Sequence, residues 1–436
     1  MNYPFLLKLS AELLNQINPL YPPDKIVASY FREKSFLGSH DRKFISETIF
    51  GAIRWKRLIE YYLNTISKNL NNPEIQQNWN LLKCYSYQIS CLKDENCINY
   101  SFTEELAFLD LIKNELLKIT KTEIVASNEI EKYGIKYSYP DWLISEWFNN
   151  YSKAEFENIC NSNNLQAPIT LRVNTIKVTR EECQKELLLE NVSTTITKYS
   201  PFGLNLEKRI NVFSLNSFQK GYFEVQDEGS QLLTLLLNPK PGAKIIDACC
   251  GAGGKSLALA ALMKNKGEIF GFDIYERKHE EFKKRIRRAG VDIVRLQIIT
   301  ENIIPDKYKN IADILLVDAP CSGIGTLRRN PGMKWSVTPK SIEEISIKQL
   351  AILQNYTETL KVGGKLIYAT CSTTKQENED VVDKFLESRN DFILESAENS
   401  FAFYGIEGLA TEKYFKLHPH IHNTDGFFAA ILKKIN

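Results

Sequence analysis

No stretch of this chain is long and uncharged enough to span a bilayer, and its opening Met1-Asn2-Tyr3-Pro4 carries neither the basic region nor the small-residue cleavage site of a secretory leader. A cytoplasmic protein with no membrane partner is therefore expected. No Cys-x-x-Cys pair occurs, which argues against structural zinc. The nine cysteines are odd in number, scattered, and include the adjacent Cys249-Cys250, a usage that suits a reducing compartment better than a disulfide framework. Nor does one sign of charge dominate: the net charge is +2, which neither supports nor excludes nucleic acid, because a basic groove can be offset by acidic surface elsewhere. Long repeats and low-complexity tracts are absent too. At 436 residues the chain exceeds one typical core, so two or three domains are expected.

What is present changes character twice. Over residues 6–117 apolar side chains recur at three and four, as in Leu13-Leu14, Ile17 and Leu20, then Phe44-Ile45, Ile49-Phe50 and Ile53, which predicts a mainly helical segment. Ser39-His40-Asp41 offers short polar side chains to cap a helix entry. Gly51 lies inside the pattern, where close helix packing is its expected reason, at a cost of roughly 1 kcal/mol against alanine. A polar stretch over 121–139 and the breaker Tyr139-Pro140-Asp141 mark a boundary. Ile169-Thr170-Leu171-Arg172-Val173, a helix over 180–190 and a strand over 194–197 then predict a small RRM-like α/β unit of a kind that often holds RNA. The expected domains are 1–138, 139–224 and 225–436.

The last and largest unit alternates helix and strand. A helix over 231–237 precedes strands at Lys244-Ile245-Ile246, at Ile269-Phe270-Gly271-Phe272 and over 294–299. Two further apolar runs end in thiols: Ile314-Leu315-Leu316-Val317 enters Asp318-Ala319-Pro320-Cys321-Ser322-Gly323, and Leu366-Ile367-Tyr368-Ala369, after the turn Val362-Gly363-Gly364, enters Thr370-Cys371-Ser372. This spacing predicts an α/β fold with a Rossmann-like, doubly wound sheet, and ligands of such sheets collect beyond the strands' carboxyl ends. Two strands would then point two sulfurs into one crevice.

After the strand at 244–246, Asp247-Ala248-Cys249-Cys250-Gly251-Ala252-Gly253-Gly254-Lys255-Ser256 is a small-residue loop opening a helix. Its glycines let a ligand approach the backbone, and the helix presents its positive end. Asp273, closing the next strand, can accept both hydroxyls of a ribose. An adenosine-containing cofactor fits these features. The dinucleotide fingerprint fails because Lys255-Ser256 stand where its third glycine belongs, and a phosphate loop fails because Cys249 occupies its first glycine position. S-adenosyl-L-methionine, which has no phosphate, gains by elimination; a tight connection without ligand is the plain alternative.

A thiol beside a methyl donor suggests a reaction. C5 of cytosine is too electron-poor to take a methyl group directly, whereas a thiolate adding at C6 makes C5 carbanion-like. Asp318 is placed to bond the N3 and N4 edge of the ring. A free thiol ionises near pH 8.5, so help from Lys255 or a cofactor cation is useful.

Asp318 to Gly323 and Ala369-Thr370-Cys371-Ser372 resemble the paired motifs of the RNA cytosine-C5 methyltransferases, the RsmB, RsmF and NSUN superfamily. Leu171-Arg172-Val173-Asn174-Thr175, Val225-Gln226-Asp227, Arg328-Arg329-Asn330-Pro331 with Lys334-Trp335, and Asp425-Gly426-Phe427-Phe428 extend the likeness. The resemblance implies that Cys371 is the nucleophile, that Cys321 helps release the product, and that Asp318 lies between cofactor and base. It also implies that Cys249, Cys250, Gly251, Ala252, Gly253, Gly254, Lys255 and Asp273 bind the cofactor. Pro22-Pro23-Asp24, Tyr30-Phe31-Arg32, 37–42 and Gly51-Ala52-Ile53-Arg54 resemble the NusB-like helical domain of RsmB proteins, which implies a monomeric enzyme forming 5-methylcytosine in small-subunit (16S) ribosomal RNA. Another RNA such as tRNA, or a non-catalytic rRNA-binding assembly factor, are the alternatives, with a P-loop-like ATPase further off.

The chain departs from the family's Cys-Ala-Ala-Pro-Gly-Gly-Lys loop at 249–255, which implies a similar path with more freedom. Where the family offers an aspartate to adenine, Ile298-Ile299-Thr300 stands, leaving Thr300 or Glu301 as substitutes. Seven Lys or Arg over 277–288 read as a solvated helix face before an RNA contact, and His418, His420 and His422 as a loop before a metal site.

Overall fold

The apolar spacing of the first third resolves into helices in the computed structural model, which describes residues 2–17, 23–70, 73–102, 106–299, 304–406, 409 and 413–436. Tyr3–Gln16, Pro23–Glu33, Ser39–Arg54, Lys56–Leu70, Trp79–Ser86 and Phe108–Ile119 bury one face each around a shared core that includes Leu7, Leu13, Ile45, Ile49, Leu63 and Leu82. At the entry to Ser39–Arg54 the cap comes from inside the helix: the Asp41 carboxylate reaches back to accept the Gly38 N–H at 3.1 Å. Gly51 is there for packing, since a Cβ would lie 2.0 Å from the Tyr87 ring. The polar stretch before Tyr139 itself holds a helix, Glu129–Tyr137, capped by the Asn128 side chain.

The chain divides into two compact units, Met1–Leu165 with Leu327–Thr338, and Gln166–Thr326 with Pro339–Asn436. The short segment returned to the first unit is stitched there by side chains. Lys334 is buried, with Nζ donating to Arg54 O at 3.1 Å, Ser138 O at 3.1 Å and Asn164 Oδ1 at 2.5 Å, and lying 3.7 Å from the Tyr139 ring centroid. Burial and the Arg54 guanidinium pull its pKa down, yet three acceptors are what an ammonium with three N–H groups requires. Trp335 Nε1 donates to Ile53 O and Arg54 donates to Arg328 O.

The second unit carries two sheets. Strands β1 (Thr170–Val173), β2 (Thr194–Ile196), β3 (Gly203–Leu206) and β4 (Phe223–Val225) pair antiparallel in the order β2-β3-β1-β4. The helix Arg180–Leu189 follows β1, capped reciprocally by Thr179 and Glu182, and two short helical turns precede β4. This is a βαββαβ unit.

The larger sheet contains β5 (Lys244–Asp247), β6 (Glu268–Asp273), β7 (Val294–Ile298), β8 (Ala312–Asp318), β9 (Leu360–Thr370), β10 (Phe392–Glu395), β11 (Phe415–Leu417) and β12 (Phe427–Lys434). Its order is β10-β12-β9-β8-β5-β6-β7, with β11 paired to β12. Strands β5 to β9 run parallel and β12 antiparallel to β9. Helices from both sides cover it, and buried Ile246, Leu315, Leu316, Leu366 and Ile367 show why its central strands are continuous apolar runs. The turn read at Val362-Gly363-Gly364 is instead an irregularity within β9: pairing passes from Ala312↔Leu360 to Ile314↔Lys365, with Gly363 at φ +79°. The sequence reading also missed β3, β4 and β10 to β12. Strand succession, not strand direction, reverses between the parallel β5 and β8: β6 and β7 follow on one side of β5, β8 and β9 on the other, so the loops after β5 and β8 face one crevice.

Candidate active site

After β5 the chain turns through Gly251 (φ +54°) and Gly253 (φ +82°) into the helix Gly254–Leu262. A Cβ on Gly253 would collide with the Phe282 ring at 1.9 Å, whereas one on Gly251 would meet nothing within 4 Å. The loop is therefore tight against the protein on one side and open on the other. Its carbonyls are held from outside: Arg172 Nη1 donates to Gly254 O at 2.6 Å and Arg285 Nη1 to Ala252 O at 2.7 Å. Arg285 and Arg288 also bond Glu224, so two cations of the basic stretch 277–288 are spent internally. The sequence reading missed this bracing, although Arg172 lay in a motif it had singled out.

Three carboxylates converge on this loop. Asp273 accepts the Gly251 N–H and the Tyr275 N–H, both at 2.9 Å. Asp247 Oδ2 accepts the Ser256 hydroxyl at 2.6 Å, while Oδ1 is buried with no hydrogen-bond partner among the described residues. Burial, opposed by the Ser256 bond and reinforced by Asp318, raises the Asp247 pKa to about 7. Asp318, at the end of β8, pairs with Lys255 Nζ at 2.5 Å. Burial pulls the Lys255 pKa down, but Asp318 and then Cys371 outweigh it and the net shift is upward. Cys249 registers all three acids: burial first, then Asp247, Asp318 and Asp273, push its thiol up. Cys250 is pushed up similarly, so both are neutral thiols. The three acids are met by two lysines, Lys255 on Asp318 and Lys278 on Asp273 at 3.5 Å, and the acid left over suits a cationic ligand better than a phosphate. Thr300 and Glu301, the candidates for the adenine contact, lie outside the described residues.

Beyond β8 and β9 stand the two thiols, with Cys321 Sγ and Cys371 Sγ 3.2 Å apart. The Cys321 pKa is raised, first by its hydrogen bond with Cys371 and then by burial. Gly325 N donates to Cys371 O, and Gly426 N to Gly325 O at 2.8 Å, so the Asp425-Gly426-Phe427-Phe428 motif backs the thiol loops. A Cβ on Gly426 would lie 2.9 Å from Gly325 Cα. Beneath the sulfurs, Ser322 and Ser372 both turn onto the buried Glu377, which the sequence reading did not single out. Its only signal was an acid closely following a strand end rich in hydroxyls. Elsewhere, His422 Nδ1 accepts the His418 N–H at 2.9 Å.

A glycine loop and an acid-ended second strand at the switch point of an eight-stranded sheet, with an antiparallel strand inserted beside β9, define a Rossmann-like methyltransferase. A family description, "16S rRNA methyltransferase RsmB/F", matches residues 234–433, and the ferredoxin-like domain of RsmF/B-like methyltransferases matches 139–213. The chain is 29% identical over 415 residues to a probable ribosomal RNA small subunit methyltransferase B of Bacillus subtilis (strain 168), spanning 91% of this chain and 92% of that protein. A counterpart from Synechocystis is 28% identical over 418 residues, spanning 92% and 93%. The crystal structure of PH0851 superposes with a TM-score of 0.77 at 28% identity, covering 98% of this chain and 97% of that one. A methyltransferase homolog protein from Pyrococcus horikoshii gives 0.60 at 29% identity, covering 71% and 100%. This chain belongs to the RsmB/F family of RNA methyltransferases.

Proposed function

We propose that this enzyme methylates C5 of a cytosine in small-subunit (16S) ribosomal RNA, using S-adenosyl-L-methionine and a covalent adduct between Cys371 and C6. The observation that carries the reading is the pair of sulfurs 3.2 Å apart beside the Lys255–Asp318 pair. The Cys371 thiolate adds to C6 of a flipped cytosine, forming the C–S bond and moving electron density to C5. Asp318 meets the N3 and N4 edge of the ring, its carboxylate accepting from the N4 amino group, and Lys255 holds Asp318 in place. S-adenosyl-L-methionine, when bound, supplies a methyl group as electrophile to C5. The C5 proton then leaves to a base, the C–S electrons return to sulfur, and Cys371 is regenerated.

Cys321 suits that second half. Its thiol is held protonated chiefly by sharing hydrogen with Cys371, and once Cys371 is bonded to carbon that restraint is gone. The unpaired Asp247 Oδ1, the open side of Gly251 and the acidic cradle formed with Asp273 suit a sulfonium and an ammonium. Residues 1–138 and 139–224 are assigned to holding RNA, 225–436 to methyl transfer, and the working form is a monomer.

Incubation with methyl-labelled cofactor and a small-subunit transcript should place one 5-methylcytosine in the RNA. Cys321→Ala should accumulate a denaturant-resistant protein–RNA adduct and Cys371→Ala none. The opposite pattern exchanges the two roles, label confined to tRNA moves the substrate, and no label on any RNA defeats the reading.

A further inference from the structure

Glu377 occupies a position that the methyl-transfer chemistry leaves unexplained. It is fully buried, in the 3-10 turn Lys375–Glu377 that follows β9. Its carboxylate receives five hydrogen bonds, two from nitrogens and three from hydroxyls. Oε1 receives the Ser322 N–H at 2.7 Å and the Gln349 amide at 3.2 Å. Oε2 receives the hydroxyls of Ser322 at 2.5 Å, Ser372 at 2.6 Å and Thr374 at 3.0 Å. Ser322 directly follows Cys321, and Ser372 directly follows Cys371. One side chain thus grips the residue after each thiol.

The neighbours complete the grip. Tyr368 Oη donates to Glu377 O at 2.5 Å, and Asn378 accepts from Thr370 Oγ1 at 2.6 Å while donating to Ser372 O at 3.1 Å. Gln349 also donates to Pro320 O, one residue before Cys321. Burying a carboxylate costs several kcal/mol unless its oxygens are fully bonded, and well-packed apolar residues hold loops together as firmly. The use of a carboxylate here is therefore specific: it offers lone pairs on two oxygens and takes donors from both loops at once. An amide in its place would turn an NH2 group toward donors.

We propose that Glu377 is a positioning residue, a clasp that locks the Cys321 and Cys371 loops together and so sets the spacing between the two sulfurs. This rests on the two-thiol reaction proposed above. Misplacing reacting groups by about 1 Å costs on the order of 100-fold in rate, so loosening the clasp falls on turnover and leaves the binding of either substrate alone.

Glu377→Gln is the direct test, with Ser322→Ala and Ser372→Ala each removing one arm. In the transcript assay Glu377→Gln should lower kcat about 100-fold, with KM for RNA and the affinity for S-adenosylhomocysteine within about threefold of wild type. A second readout needs no RNA. Diamide accepts the two hydrogens of a dithiol to become a hydrazine, joining the sulfurs, and the Cys321–Cys371 linkage can be followed by peptide mapping. It should form about tenfold more slowly in the Glu377→Gln protein, because the sulfurs are no longer held together. Unchanged kcat and linkage rate overturn the clasp, as does a cofactor affinity that falls in step with kcat, which would mean general loosening. Should Glu377→Gln fail to fold, the serine variants decide: each must slow both turnover and linkage, and two variants with wild-type rates overturn the clasp. Wild-type protein that forms the linkage quickly but labels no RNA would defeat the proposed reaction and leave the clasp standing.

Discussion

Two buried carboxylates lie near one another's work and are treated in opposite ways. Glu377, under the thiols, is met by five donors, while Asp247, under the glycine loop, accepts from Ser256 on one oxygen and has the other unpartnered among the described residues. A satisfied buried charge fixes geometry, and an unsatisfied one is a cost retained for something that arrives later. The thiol end of this crevice is thus assembled in advance, and the glycine-loop end is left to be completed by its ligand.

The sharpest way to break that contrast is through Asp318, which pairs with Lys255 of the glycine loop and stands three residues before Cys321. Asp318→Asn keeps the shape, removes the charge that holds Lys255, and should lower kcat about 1,000-fold at saturating RNA and cofactor, read by single-turnover methylation. A loss under tenfold would place Asp318 outside the chemistry.

Asp247 allows a test by pH. Its folded pKa of about 7 lies above the ordinary carboxylate value of 3.8, so folding favours the protonated acid. Its contribution to stability is therefore complete below about pH 4 and is lost as pH rises through 7. Denaturant midpoints of the wild type should carry a component that falls over this window by on the order of 1 kcal/mol per pH unit, and Asp247→Asn should remove it. An identical pH dependence in both proteins would show that this acid is paired.

The smallest expected effect is at Asp273. Asp273→Asn retains an acceptor for the Gly251 N–H but loses the charge, and should weaken S-adenosylhomocysteine about tenfold by calorimetry while changing saturated kcat little. A larger loss in kcat than in affinity would move Asp273 from binding to chemistry.

Much of the fold was legible because local rules wrote it. The apolar runs at 244–246, 269–272 and 314–317 lie within strands that extend them by only one to three residues in all, since a strand buried on both faces must be apolar throughout. Gly251 and Gly253 announced a turn at positive φ. At Val362-Gly363-Gly364 the same residues misled, because a bulge inside a strand uses the glycine conformation of a turn. Leu327–Thr338 could not be assigned to the helical unit from sequence, as the polar burial of Lys334 depends on Arg54, Ser138 and Asn164, which are remote in the chain.

By itself the sequence determined which strands lead into a thiol, which loop is rich in glycine, and which residues could carry chemistry, because these depend on periodicity and on residue type. Only the tertiary structure decided that Ser322 and Ser372 share one carboxylate and that Arg172 and Arg285 brace the glycine loop. The shared carboxylate follows from the parallel pairing of β8 with β9 and the Arg285 brace from that of β5 with β6, while Arg172 reaches the loop from β1 of the smaller sheet, so that residues far apart in the chain stand side by side.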